Sequence, residues 1–248
     1  MTDALYLTDA YLREFDARVV SDSEHGLVLD RTAFYPAGGG QPADSGSLRG
    51  PDGVVSRVVD VRKAPEGIVH VLESPSPRNP GTSVAGAIDW ELRLAHMRLH
   101  TALHILSGVV FRRFGSGITG SQIYHDRARM DLAIPGFDRT VAEALIEGVN
   151  GVVREDHPVR VRFLARADAL KDPSLVRVAQ ELLPDVETIR LIDIEGFDVQ
   201  ADGGTHVAHT REVGAVRLEK IENKGSKNKR LYLTAGPPDG APPAASRP

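Results

Sequence analysis

His100-Thr-Ala-Leu-His104 places two imidazoles four residues apart. On a helix that spacing puts both on one face, with Cβ atoms about 5–6 Å apart, close enough for two nitrogens to reach one metal ion at about 2.0–2.1 Å. A metalloprotease helix would carry a glutamate base after the first histidine, but Thr101 stands there, so that chemistry is disfavoured. Far downstream, Gln200-Ala-Asp202-Gly-Gly-Thr-His206-Val supplies a second half. Asp202 and His206 flank a Gly-Gly pair that can turn the backbone so that a carboxylate and an imidazole converge. Three imidazoles and one carboxylate either complete a tetrahedral site or supply three ligands beside an open position. Each segment alone has a plainer reading, two half-buried polar residues on an amphipathic helix and an ordinary Asp-Gly turn. The case for a site rests on the pair of segments.

Composition narrows what such a site can be. The chain has 248 residues and no cysteine, which removes a disulfide framework, a thiol nucleophile and thiolate metal ligands, so any metal must be held by His, Asp or Glu. A formal charge of −4 argues against a general nucleic-acid coat but leaves room for a local basic patch. There is no uninterrupted apolar run of the roughly 18–20 residues a spanning helix needs, and the N-terminus lacks a basic region followed by an apolar stretch. The expectation is a cytoplasmic protein with no membrane partner.

The elements that must position these residues read as α+β. Residues 1–89 are expected to form a small antiparallel β-barrel or sandwich, with strands near Ala17–Val20, Gly26–Leu29, Gly53–Val61, Ile68–Leu72 and Ser83–Ile88. Between the second and third lies Phe34-Tyr-Pro-Ala-Gly-Gly-Gly-Gln-Pro-Ala-Asp-Ser-Gly46, too rich in Gly and Pro for a strand interior. Asp89 is placed to cap a helix in which Leu92, His96, Leu99, Leu103, Leu106 and Val110 follow at helical spacing as far as Gly115. A second helix is predicted over Thr140–Arg154, opened by the capping box Thr140-Val-Ala-Glu143, and a third over Ala167–Leu183. Strands are predicted at Val159–Leu164, Thr188–Ile194, Ala215–Ile221 and Arg230–Thr234, so residues 90–236 form an α+β domain with helices on an antiparallel sheet. Residues 237–248, with five prolines, read as a disordered tail. Of the other histidines, His96 reads as a helix-surface or packing residue, His25, His70, His125 and His157 as residues of turns or strand ends, and His209 as a weak alternative ligand.

With these motifs in view, the chain resembles the free-standing alanyl-tRNA editing proteins in their longer form, and the editing domain of alanyl-tRNA synthetase. The resemblance is carried by His100-Thr-Ala-Leu-His104, Gly203-Gly-Thr-His206-Val and the Phe34–Gly46 segment, in the family's order over roughly residues 15–235. It implies hydrolysis of the ester joining serine, or glycine, to alanine-specific tRNA, without ATP, and one bound zinc ion. It implies His100, His104, Asp202 and His206 as the ligands. The third of these is a cysteine in the family's common pattern. Here it is Asp202, a ligand of the same charge but harder, which leaves zinc open to exchange with other divalent ions. Asp202 alternatively orients a water while three histidines hold the metal.

The resemblance further marks Thr32 as the residue that recognises the serine hydroxyl, although a β-branched strand residue is an equal reading. Gly38, Gly39 and Gly40 would let the backbone approach the aminoacyl-adenosine, with Gln41 bonding the ester or ribose. Thr32, Gln41 and Asp202 are the catalytic candidates. Lys224, Lys227, Lys229 and Arg230, with Lys220 nearby, form a basic hairpin for tRNA phosphates. Two rival functions stay open: a metal-dependent hydrolase of another aminoacyl ester, and a catalytically weak tRNA- or synthetase-binding module.

Overall fold

The computed structural model describes residues 2–74, 78–115, 118–134, 136–171, 175, 186–224 and 228–236. The chain divides into two compact units. One is built on residues up to His96 together with Ile123–His125 and Gly203–His206, and the other on the rest of the described chain.

The first unit is a closed barrel. Strands β1 (Asp3–Ala4) and β4 (Arg31–Thr32) pair in parallel beside it. The barrel proper is ordered β2 (Glu14–Ser23), β3 (Gly26–Leu29), β7 (Gly67–Leu72), β6 (Val55–Ala64), β5 (Gly46–Arg49) and β8 (Ser83–Ile88). Alternation along β2 turns Phe15, Ala17 and Val19 inward, where they meet Leu27, Leu29, Leu48, Val58 and Val61. Closure leaves no unpaired strand edge, which settles barrel over sandwich. Strand β5 is absent from the sequence-based reading because Gly-Ser-Leu-Arg carries one apolar residue. His70 is a correction of a different kind. It sits within β7 and is wholly buried, not at a turn or strand end.

Helix α1 (Trp90–Phe114) follows the barrel, as the capping residue and apolar spacing predict. Asp89 Oδ1 accepts the Leu92 N–H at 3.4 Å, and past the helix the Gly115 N–H bonds the Phe111 carbonyl at 2.8 Å. From Leu99 to Gly108 every residue is buried, so this stretch has no solvent face, unlike the amphipathic helix of the plainer reading. Gly108 is required there, because a Cβ would stand 2.7 Å from the Phe197 ring.

The second unit holds a four-stranded sheet ordered β14 (Ala215–Asn223), β15 (Lys229–Gly236), β10 (Ala128–Leu132) and β9 (Ile118–Ile123), with antiparallel β14–β15 and β10–β15 pairs. A second sheet of three antiparallel strands is ordered β11 (Val159–Ala165), β12 (Thr188–Ile194) and β13 (Asp198–Ala201). Helix α2 (Arg139–Glu155) packs on β14, where the Asn150 side chain exchanges two 2.9 Å hydrogen bonds with the Val216 main chain. Its cap is Asp138, accepting the Val141 N–H at 2.9 Å, and not the Thr140 box. Glu143, the expected partner in that box, instead pairs with Arg139 at 2.8 Å across one helical turn. Helix α3 covers Arg166–Ala169. Most of the helix predicted over Ala167–Leu183, the tail from residue 237 and Lys227 lie outside the described residues. The fold is α+β, and no helix among the described residues is long and apolar enough to cross a membrane.

Candidate metal centre

Helix α1 carries His100 and His104 into its buried stretch, with ring centroids 5.2 Å apart. Asp202, one residue beyond β13, meets them: its Oδ1 lies 3.5 Å from His100 Nε2 and 3.9 Å from His104 Nε2. These separations are longer than a charge-assisted hydrogen bond of about 2.7–2.9 Å. They approach the roughly 3.3–3.4 Å between neighbouring ligands of a tetrahedral ion with bonds of about 2.0–2.1 Å. The ligand atoms of His100, His104, Asp202 and His206 all lie within 4.8 Å of one another. The donors are three neutral-capable imidazoles and one carboxylate, a set suited to zinc. Burial holds the His100 pKa below the usual imidazole value, Asp202 opposes that, and the Arg190 charge reinforces it. An unprotonated imidazole is the form a metal requires.

The segment from Asp202 to Val207 is pinned at several points. Arg190 on β12 accepts the Asp202 N–H at its carbonyl, 3.1 Å, and donates from Nη1 to the Asp202 carbonyl, 2.8 Å. Gln41 and Thr205 exchange two bonds: Gln41 Nε2 donates to Thr205 Oγ1 at 2.9 Å, and the Thr205 N–H donates to Gln41 Oε1 at 3.0 Å. Thr101, at the position a metalloprotease helix gives to its glutamate base, donates to the Met97 carbonyl at 2.8 Å and accepts the Val207 N–H at 3.2 Å. Arg190 and Thr101 were not identifiable as site residues from the sequence. The available signal was a guanidinium amid the apolar run Thr188-Ile-Arg-Leu-Ile, since a buried cation needs partners.

The glycine-rich segment is a shaped loop. Gly38 and Gln41 exchange main-chain bonds of 3.1 and 2.9 Å around Gly39 and Gly40, whose φ values of 58° and 82° form a turn that favours glycine. Gly39 is exposed, whereas Gln41 is 2 % exposed. Asp44 anchors the loop from below. Its carboxylate accepts the Tyr35 N–H at 2.6 Å and two bonds from Arg93 Nε at 2.9 and 3.0 Å, and both side chains are fully buried. Thr32 is also buried: its Oγ1 lies 2.8 Å from His70 Nε2 and accepts the Phe34 N–H at 3.1 Å.

The basic hairpin is partly self-compensated. Glu222 takes Lys220 at 2.6 Å and Lys224 at 3.7 Å, and Lys229 Nζ lies 2.5 Å from Asn223 Oδ1. Arg230 grips Asp131 through Nε and Nη2 at 2.7 and 2.8 Å, which holds that carboxyl below its usual range.

Two families match segments of the chain. One is described as the threonyl and alanyl tRNA synthetase second additional domain, over residues 189–232, and the other as class II (A) tRNA synthetases, over residues 5–92. An alanyl-tRNA editing protein AlaX-M of Saccharolobus solfataricus is 40% identical over 96% of this chain and 100% of its own length. One of the same description from Methanosarcina acetivorans is 41% identical over 94% of this chain and 99% of its own. An alanine–tRNA ligase of Pyrococcus furiosus is 39% identical over 95% of this chain, which spans 26% of that protein.

Proposed function

Because the chain belongs to the family of alanyl-tRNA editing proteins, we propose that it is a free-standing, ATP-independent hydrolase that removes serine, and secondarily glycine, from mischarged alanine-specific tRNA. The observation that carries this reading is the placement of Asp202 Oδ1 at 3.5 and 3.9 Å from His100 and His104 Nε2 on a buried helix. His100, His104, Asp202 and His206 would hold one zinc ion. When bound, such an ion supplies Lewis acidity or a water of lowered pKa.

In the reaction, water oxygen bonds to the ester carbonyl carbon, the bond to the ribose oxygen breaks, and that oxygen takes up a proton. The absence of cysteine agrees with attack by water and not by a thiol. An aminoacyl ester is labile already, so positioning is the larger part of the work. Gly38, Gly39 and Gly40 are assigned to close backbone approach to the aminoacyl-adenosine, and Gln41 to the geometry of that approach. Thr32 is assigned to serine selection: its Oγ1, which already bonds His70 Nε2 and the Phe34 N–H, keeps one acceptor lone pair that would take the serine hydroxyl, a bond that alanine cannot make. Lys224, Lys229 and Arg230 are assigned to the tRNA side, with Lys227.

The test is deacylation of Ser-, Gly- and Ala-charged alanine tRNA, comparing the native chain with His100→Ala and Thr32→Val. The expected outcome is Ser-tRNA hydrolysis without ATP, sparing Ala-tRNA, lost in His100→Ala and less selective in Thr32→Val. Equal action on all three, with zinc present, would leave a hydrolase of another ester, the reading that Asp202 in place of the family's cysteine keeps open. Asp202→Cys should keep zinc and Asp202→Asn weaken it. Full zinc with lost activity in the asparagine variant would instead assign Asp202 to orienting water.

A further inference from the structure

We propose that Arg190 is a positioning residue for the metal centre, fixing the main chain of Asp202 so that its carboxylate faces His100 and His104. The inference rests on the metal-dependent reading above and concerns a residue that reading does not need. Arg190 lies on β12, opposite Phe163 of β11, and is 8 % exposed. The β12–β13 register runs from Ile194↔Asp198 to Leu191↔Ala201, so Asp202 lies where the ladder ends. There the Arg190 carbonyl takes the Asp202 N–H at 3.1 Å, extending the ladder by one bond. The guanidinium then adds what a ladder cannot, donating from Nη1 to the Asp202 carbonyl at 2.8 Å. One residue thus holds both main-chain polar groups of one ligand.

This bracketing matters for an aspartate in particular. A carboxylate has one more heavy-atom torsion than a thiol, so its oxygen is placed less firmly by the same backbone. The two-point hold removes the peptide rotations on either side of Asp202, leaving the side-chain torsions as the remaining freedom. Asp202 also adjoins the Gly203-Gly204 pair, where the backbone is intrinsically permissive. Outer partners of metal ligands commonly tune affinity by about 10–100-fold, and Arg190 occupies such a place. A lysine keeps the charge but cannot present the same planar fork.

The experiment uses the full chain with Arg190→Met and Arg190→Lys. Zinc affinity is measured by competition with a chromophoric chelator, geometry by the visible spectrum of the cobalt(II)-loaded protein, and folding by far-UV circular dichroism of the metal-free form. Arg190→Met is expected to retain the native dichroism, bind zinc about 10–100-fold more weakly and shift the cobalt bands, with Arg190→Lys between it and the native chain. A folded Arg190→Met with native zinc affinity and an unchanged cobalt spectrum would overturn the proposal while leaving the metal-dependent reading intact. If Arg190→Met does not fold, Arg190→Lys decides: weakened zinc upholds the positioning role and native zinc rejects it. A native chain that binds no stoichiometric zinc defeats both readings together.

Discussion

Gln41 and Thr205 hold one another through a reciprocal pair of hydrogen bonds, and Thr205 adjoins His206, so Gln41 acts on the ligand segment whatever it does for substrate. Gln41→Ala leaves the Thr205 N–H and hydroxyl without those partners inside the protein. The expected loss is about 1–3 kcal/mol of stability, read by urea unfolding. Unchanged stability with lost deacylation would instead put the amide on the substrate alone. His70 provides a second test at this scale. The Leu27 carbonyl 3.0 Å from Nδ1 can only accept, so Nδ1 carries the proton and Nε2 accepts the Thr32 hydroxyl. Burial pushes the His70 pKa from 6.5 down to about 4, against a smaller opposing effect of the Leu27 bond. As pH falls from about 6.5 to about 4 the unfolded chain therefore takes up a proton that the folded chain refuses, and stability drops by about 3 kcal/mol. His70→Phe should remove that part of the slope between pH 7 and pH 4.5, and an identical slope in the variant would refute the assignment. The sequence displays the identity of His70 but not its depth, because strand interior and turn are separated here by partners contributed from β3 and β4.

At the scale of elements, the buried Asp44–Arg93 pair joins the glycine-rich loop to the first turn of α1. Arg93 also donates to the Ala10 carbonyl at 2.8 Å and the Ala33 carbonyl at 2.6 Å. Removing one member of a buried pair strands the other charge and costs about 3–5 kcal/mol. Arg93→Met and Asp44→Asn should each show that loss in urea unfolding, and the double variant should lose less than the two combined. Strict additivity would mean that the two side chains do not act as a pair. The coupling was invisible in the sequence, where Asp44 is one residue of a loop motif and Arg93 one residue of a helix. Helix α1 itself was legible, because its apolar spacing, its cap and Gly115 agree. Strands β9 and β10 were not. Ile-Thr-Gly-Ser-Gln-Ile carries little apolar signal, and Ala-Arg-Met-Asp-Leu alternates correctly with residues of weak strand preference. The metal cluster was legible for a simpler reason: imidazole and carboxylate pairs at fixed spacing on a helix and a turn constrain geometry locally, whereas Arg190 and Thr101 contribute through contacts made only once the chain is folded.

For the whole molecule, the difficulty is that an acidic protein must hold a polyanion. At −4 overall the long-range field opposes tRNA, so attraction has to be local and short-ranged, and salt should weaken it strongly. The described cations of the hairpin are not equivalent in this respect. Arg230 is committed to Asp131 by two bonds, and Lys220 and Lys224 share the single carboxylate of Glu222. Lys229 is opposed only by the neutral Asn223 amide in the bond described for its ammonium. Phosphate contact by Lys224 and Lys229 therefore displaces little, whereas contact by Arg230 requires an existing ion pair to open. Measured as tRNA affinity against salt, the combined Lys224→Gln and Lys229→Gln variant should bind more weakly, with a log–log slope shallower by roughly 1–2 and unchanged thermal stability. Arg230→Gln should lower the melting temperature through loss of its pair with Asp131 and, because its phosphate contact must first open that pair, flatten the slope less than the combined lysine variant does. If the lysine variant keeps the native slope, the tRNA backbone lies on another face of the protein, and the hairpin is a solvated turn whose charges balance one another.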